Sequence, residues 1–492
     1  MSKKQEILLR KYFENKSITD SNIKSFENFI DFQLQQIVKE VGVIEPTIIP
    51  SDIETFQIKF DKIWITKPEI TEADGSKRLI YPMEARLRKI TYAATIHIEV
   101  SAHINGIQRE SFTAEIGAIP IMIKSKYCNL YGMSREDLVL KEEDPCDIGG
   151  YFIINGSEKT IITIEDLASN RFVVEKNKTG SVKFVGKLFS EFGALKIPHT
   201  LEKHKDGIFY ISCARLKKIP IIVVVKALGM LKDQEIMENI GTEVSDNILV
   251  NLYEFIDIKT EEDAKDYIAK KLGITQPREQ RIEVINDNLN NFLLPNISNK
   301  EKDKLQKAKN LCKMIKKYIL TETGKIPLED KDHYRNKRLK LCGDLLADLF
   351  RMNLRVLIND VLYNFQRIVR RGKFPSIKVI IRDKLLTSRI YSAMATGNWV
   401  GGRKGISQRI QRINYLDTLS HLQRVISPLS TSQENFEARE LHCTHMGRLC
   451  PIETPEGTNI GLRKNLAMLA TITQDVKEDI TPKLKELGLK TL

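Results

Sequence analysis

Gly149-Gly150-Tyr151-Phe152-Ile153-Ile154-Asn155-Gly156-Ser157-Glu158-Lys159 reads as a strand, a two-residue Asn-Gly turn and a second strand that continues into Thr160-Ile161-Ile162. Asn-Gly tolerates the positive φ angles that a tight hairpin needs, so the pairing it specifies is antiparallel. Working outward toward the N-terminus, Phe56-Gln57-Ile58-Lys59-Phe60 and Thr95-Ile96-His97-Ile98-Glu99-Val100 alternate on either side of the turn-rich Glu72-Ala73-Asp74-Gly75-Ser76. That alternation makes an antiparallel sheet with one wet face. Tyr81-Pro82-Met83-Glu84-Ala85-Arg86-Leu87-Arg88 and the stretch from Ile119 to Cys128 read as buried strands bordered by solvated basic residues. Further out, Ile23, Phe26, Phe29, Ile30, Leu34, Ile37 and Val38 recur at helical steps and predict an amphipathic helix over Ser21–Val41.

Toward the C-terminus, residues 171 to 327 mix short strands with lysine-rich helical stretches and read as an inserted accessory domain. The best helix there is expected to start at a capping box, Ser298-x-x-Glu301, with Leu305, Ala308, Cys312, Ile315 and Ile319 down one face. Lys302, Lys304, Lys307, Lys309, Lys313, Lys316 and Lys317 would occupy the solvated face. The segment Asp330-Lys331-Asp332-His333-Tyr334-Arg335-Asn336-Lys337-Arg338 closes the insertion as a structural turn or backbone contact; its interspersed cations argue against a metal. A long helix, Asp344 to Arg371, then runs to stops at Gly372 and Pro375. The expected fold class is α+β, multidomain, with mixed helices and antiparallel sheets.

At 492 residues the chain should divide into about two to four domains. Its 77 Lys+Arg against 64 Asp+Glu leave +13, which favours a polyanionic partner but equally describes a solvated basic surface. Seven scattered cysteines without a C-x-x-C pair argue against a disulfide framework or a closed zinc finger and suit a reducing cytoplasm. The N-terminal Met1-Ser2-Lys3-Lys4 leads into a charged amphipathic segment, not a signal peptide. The apolar run Ile219–Val225, broken at Lys226, is too short to span a bilayer. A cytoplasmic protein without membrane contact is the expectation.

The densest chemistry lies between Met394 and Lys464. Gly401, Gly402 and Gly405 flank Arg403 and Lys404, so backbone can approach a phosphate while the side chains supply charge. Gln408 and Arg412 follow in Gly405-Ile406-Ser407-Gln408-Arg409-Ile410-Gln411-Arg412, a set suited to phosphate, sugar and base-edge hydrogen bonds, or else to an ordinary polar helix start. Arg439, His442, His445 and Arg448 recur at threes beside Cys443 and Cys450, but spacing and Pro451 fit a zinc finger poorly. Thr454-Pro455-Glu456-Gly457 carries a type I turn signature that would bring Glu453 near Glu456. Two carboxylates alone rarely cage magnesium, so these read as orienting groups for arginines, bases or backbone.

Taken together these residues resemble the second-largest subunit of multisubunit DNA-directed RNA polymerases. The resemblance is carried by Tyr81-Pro82-x-Glu84-Ala85-Arg86, Gly150 to Lys159, Asp330 to His333 with Asn336-Lys337-Arg338, and Thr396-Gly397-Asn398-Trp399. Thr418-Leu419-Ser420-His421-Leu422-x-Arg424 and Thr444-His445-x-Gly447-x-x-Cys450-Pro451-x-Glu453-Thr454-Pro455-Glu456-Gly457 complete it, in family order over nearly the whole chain. Ending at Leu492, the sequence looks like the N-terminal half of that subunit, most similar to the archaeal split B double-prime form.

The resemblance implies a protrusion over residues 1–170 and 331–385, a lobe over 171–330, a fork over 386–463 and the start of an external region over 464–492. By it, Gln408 and Arg424 look like positions near product RNA and Arg439 like the base of a fork loop. Ser430 to Glu437 resembles the downstream fork loop, and Glu453, Glu456 and Gly457 border the active centre. The implied chemistry is nucleotidyl transfer, the RNA 3′-hydroxyl attacking an α-phosphate with release of pyrophosphate, assisted by Mg2+. The carboxylates holding that magnesium would belong to the largest subunit; this chain would carry no catalytic residue, no metal ligand and no zinc. Implied partners are the largest subunit, a separate polypeptide with the C-terminal half, small polymerase subunits, template DNA, nascent RNA and initiation factors. Charge and the glycine-arginine stretch leave open a self-contained nucleic-acid-binding protein, although no Walker-type glycine loop accompanies them.

Overall fold

The helix Cys342–Val369 is the spine of the larger of two compact units, Met1–Asp166 with Leu339–Leu492; the other is Leu167–Arg338. The computed structural model describes residues 2–14, 18–50, 53–177, 182–193, 195–241, 246–298, 300–374, 376–432, 435–473 and 480–489. Pro375, Gln433, Glu434 and Leu492, which figure in the expectations above, lie outside the described residues.

In the larger unit, Leu345, Phe350, Leu354, Leu357 and Phe365 of the spine are buried at helical spacing. Against it packs the helix predicted over 21–41, which runs as Asp20–Asn28, a π turn Phe29–Gln33, and Leu34–Val41. Phe29 meets Phe350 edge to face at 6.3 Å, and Phe26 meets Phe152 at 5.6 Å, tying both helices to the hairpin. A four-stranded antiparallel sheet, ordered Val43–Ile44, Phe56–Ile65, Ala93–Ile104, Ile107–Pro120, alternates buried and half-buried positions as expected.

The hairpin forms between Phe152–Ile154 and Ser157–Ile161, with φ of 50° at Asn155 and 75° at Gly156. A side chain at Gly156 would collide with the Lys89 backbone, 2.7 Å away, so the turn needs glycine on two counts. The hairpin's second strand also pairs with Ser407–Arg409. Where an ordinary helix start was one expectation, the structure therefore has a strand, because the backbone of Gln408 pairs across from Thr160. Arg424–Ile426 runs parallel to the strand beginning at Thr163 and antiparallel to Arg463–Asn465.

Two expectations are corrected here. Tyr81–Arg88 is not a buried strand: Pro82–Leu87 is a short helix with Pro82 at its first turn, where a missing N–H costs nothing. The segment from Ile119 is strand only to Pro120 and then passes into turns.

The smaller unit is a five-stranded antiparallel meander, Phe172–Lys176, Phe184–Phe192, Leu195–Lys203, Phe209–Cys213 and Leu216–Pro220, covered by helices. The apolar run at 219–225 becomes the helix Ile221–Ala227, every residue of it buried in this core. The helix predicted after Ser298 is Lys304–Glu322, preceded by a 3-10 turn, and the capping box is not made. Ser298 Oγ instead accepts from Lys300 N, and Glu301 engages Lys304 and Asn286. Lys307 is not on a wet face but 1% exposed, its ammonium donating to the carbonyls of Leu289 and Asn290 at 3.0 and 2.9 Å. Leu305, expected on the buried face, is exposed.

Candidate nucleic-acid interface

The run from Met394 to Lys464 is anchored to the spine by Trp399, whose indole Nε1 donates to Leu345 O at 2.8 Å. Gly401, Gly402 and Gly405 all take positive φ, 77°, 73° and 73°, so the chain bends at all three. Ile162, Ile164, Ile406 and Ile426 line, together with that bend, a cavity of about 420 Å³. Arg403 is not a free cation: its Nη2 lies 2.8 Å from Asp166 Oδ2. Lys404, by contrast, is exposed at the tip.

Gln408 is half-buried at the centre of a hydrogen-bonded chain. Its Nε2 donates to Gly405 O at 2.9 Å, and its Oε1 faces His421 Nε2 at 3.3 Å. His421 Nδ1 in turn accepts from Gln411 N at 3.1 Å, and Gln411 Oε1 accepts from Arg424 Nη2 at 3.3 Å. Burial, reinforced by the charges of Arg424 and Arg463 and opposed by Asp417, pushes the His421 pKa down to about 4. The ring is therefore uncharged near neutral pH. Burial, with Arg463 beside it, also holds the Arg424 guanidinium below its usual range. Sequence reasoning named His421 only as part of a motif; its signal was a histidine on the buried face, with Thr418, Leu419 and Leu422, of the helix Tyr415–Leu422.

Arg412 belongs elsewhere. Its guanidinium pairs with Glu158 and lies over the Tyr151 ring, 5.4 Å from its centroid. Arg86 completes that cluster, 3.0 Å from both Glu143 and Glu158 and donating to Tyr151 Oη at 2.8 Å. Burial raises the Glu143 pKa despite Arg86. The same burial acts on Glu158, but the bonds and charges of Arg412 and Arg86 outweigh it and hold that carboxyl below the usual range. The cluster thus joins the Tyr81–Arg86 and Gly150–Lys159 motifs to the run after Gly405.

Arg439 is spent on backbone. It donates to Thr458 O at 2.7 Å, Ile460 O at 3.0 Å and Thr431 O at 3.1 Å, clamping the loop at 431 to that at 458–460. Gly461 passes so close that a Cβ there would lie 2.2 Å from Arg439 O, and its φ of 71° excludes most other residues as well. The expected type I turn at 454–457 does not form: Glu456 is extended, with φ −76° and ψ 161°, and Gly457 carries the positive φ of 80°. Thr454 Oγ1 takes over the bracing, accepting from Gly461 N and donating to Arg463 O. Glu453 accepts from Ser420 Oγ at 2.5 Å, and Glu453, Glu456 and Gly457 are all exposed.

Behind this face lies a buried ion pair that sequence reasoning missed. Lys464 Nζ is 3.0 Å from both carboxylate oxygens of Glu165, with side chains 8% and 2% exposed. Among the described residues no three His, Cys, Asp or Glu side chains come together to hold a metal. No helix among the described residues is long and apolar enough to cross a membrane.

A family profile described as RNA polymerase beta subunit matches residues 17–388, and one described as RNA polymerase Rpb2, domain 3, matches residues 408–472. The chain belongs to the family of RNA polymerase beta subunits. Within it, the chain is 41% identical over 493 residues to DNA-directed RNA polymerase subunit Rpo2N of Methanocaldococcus jannaschii, covering 98% of both. It is 40% identical to the Rpo2N subunit of Methanococcus vannielii, again over 98% of each. To subunit Rpo2 of Saccharolobus solfataricus it is 41% identical over 487 residues, 98% of this chain but 43% of that one. The chain thus spans less than half the length of its Rpo2 relatives.

Proposed function

We propose that this chain is a subunit of a cytoplasmic DNA-directed RNA polymerase and acts in nucleotidyl transfer only in assembly. In this reading residues 1–170 and 331–385 form the protrusion, 171–330 the lobe, 386–463 the fork and 464–492 the start of the external region. Gln408 and Arg424 face product RNA, Lys404 borders nucleic acid from a bend that Arg403 braces through Asp166, and Glu453, Glu456 and Gly457 border the active centre. The magnesium ions are held by the largest subunit.

The observation that carries the reading is a density of exposed apolar side chains in the last fifth of the chain. Ile413, Leu416, Phe436, Met446, Ile452 and Leu487 are exposed, Ile452 by 86% and Ile413 by 83%. Exposed apolar side chains so concentrated in one part of the chain are what a subunit covered by other polypeptides leaves bare when taken alone. The partners proposed are the largest subunit, a separate polypeptide carrying the C-terminal half, small subunits and initiation factors, with DNA template and nascent RNA. Mass spectrometry of the intact complex isolated through this chain from native lysate tests the assignment. The expected result is a largest subunit plus a chain supplying the second half; recovery of the chain alone would favour a self-contained nucleic-acid-binding protein.

A further inference from the structure

We propose that His421 is a positioning residue for RNA, holding Gln408 and Arg424 in register through a single fixed tautomer. The inference rests on the reading that those two side chains face product RNA. It starts from an unambiguous donor: a backbone N–H, that of Gln411, points at His421 Nδ1 from 3.1 Å. Nδ1 must then offer its lone pair, so in the neutral ring the proton is on Nε2. Nε2–H can only donate, which makes the Gln408 atom facing it the oxygen, as the structure has it at 3.3 Å. The Gln408 amide nitrogen is thereby turned toward Gly405 O, 2.9 Å away, with its second N–H left for a ligand.

The same ring reaches Arg424 by a second route. By pinning Gln411 N, it fixes the residue whose side chain accepts from Arg424 Nη2. Thr418 Oγ1 donates to Gln411 O and holds that residue from the other side. One buried ring, 2% exposed, therefore sets the orientation of a neutral donor and a cation that come from the Ser407–Arg409 and Arg424–Ile426 strands. The groups charged around it are Arg424 and Arg463 from the strands and Asp417 from its own helix. Both arginines oppose a positive charge on the ring, so its neutral form is protected in part by Arg424, a residue it positions.

The test uses the assembled polymerase on a DNA–RNA scaffold, comparing wild type with Gln408→Ala, His421→Leu, His421→Gln and the double variant Gln408→Ala with His421→Leu. The readouts are the rate of RNA release and the KM and kcat of single-nucleotide addition. Gln408→Ala is expected to raise RNA release by about five- to tenfold, the worth of one or two hydrogen bonds. His421→Leu should match or exceed that loss, and adding Gln408→Ala to it should cost nothing more. His421→Gln, whose amide N–H can reach the Gln408 oxygen, should recover part of the loss and also guards against a Leu variant that fails to assemble. Unchanged RNA release in Gln408→Ala would overturn the reading that Gln408 faces RNA. A response to Gln408→Ala with fully additive losses in the double variant, or with no partial recovery by Gln, would overturn the positioning role alone.

Discussion

Two arginine-bearing regions of the larger unit both lie in the motif stretches of the sequence and differ in what surrounds their charge. Around Arg86 and Arg412, each guanidinium meets a carboxylate and the Tyr151 ring or hydroxyl, and the carboxylates of Glu143 and Glu158 are themselves mostly buried. Around Gln408 and Arg424, the hydrogen-bond partners are neutral, a glutamine, a histidine held uncharged and the Gly405 carbonyl, while Asp417 and Glu453 act on Arg424 only as nearby charges. A guanidinium already neutralised has little left to offer a phosphate. One bonded to a neutral acceptor, and held below its usual range by burial and Arg463 against the pull of Asp417 and Glu453, gains from an arriving anion. Motif membership therefore does not tell a neutralised arginine from one open to an anion; the charge of its neighbours does.

The sharpest way to break that distinction is at the most buried pair. Lys464→Met should destabilise the chain by about 3–5 kcal/mol, because Glu165 would be left charged and 2% exposed. The double variant with Glu165→Leu should restore most of that loss in denaturant titrations. A Lys464→Met protein as stable as wild type would mean that burial does not make such pairs structural. Next in size is an acid dependence. His421 and His199 are each lowered to about 4 from 6.5 by burial, so the unfolded chain takes the proton first. Their contribution is fully present above about pH 6.5 and is lost as pH falls toward 4, by up to about 3 kcal/mol each. Unfolding free energy followed across that window should drop, and His199→Gln should flatten part of the slope.

What could be read from sequence was what is local. Asn155-Gly156 announces its hairpin in two residues, and the 21–41 helix repeats its apolar face long enough to be recognised across a π turn. Pro82–Leu87 is only six residues, too few to show a helical period, so its one signal was Pro82 in the first turn. Lys307 looked solvated because the carbonyls that bury it come from another helix. Glu165 and Lys464 are 299 positions apart, and Asp166 and Arg403 are 237 apart. No spacing rule connects such residues. In the same way, Gln408 and Arg424 were legible as polar residues in a glycine-rich run, whereas the His421 ring that joins them was not.

The comparison is sharpened at its smaller end by two cations of the same run. Arg412→Ala should cost about 1 kcal/mol of stability, since its pair with Glu158 is half-exposed and the Tyr151 contact goes with it. It should leave the salt dependence of nucleic-acid retention unchanged, because its charge is already spent. Lys404→Ala should do the reverse. Exposed at the tip of the glycine bend, it contributes within about 0.5 kcal/mol to stability. If its ammonium meets a phosphate in the assembled complex, removing it should lower the slope of log affinity against log salt by about one. Graded-salt challenge of the complex on a DNA–RNA scaffold separates the two. A slope changed by Arg412→Ala and not by Lys404→Ala would invert the assignment, placing the nucleic acid on the ionic cluster and leaving the glycine bend as a structural turn.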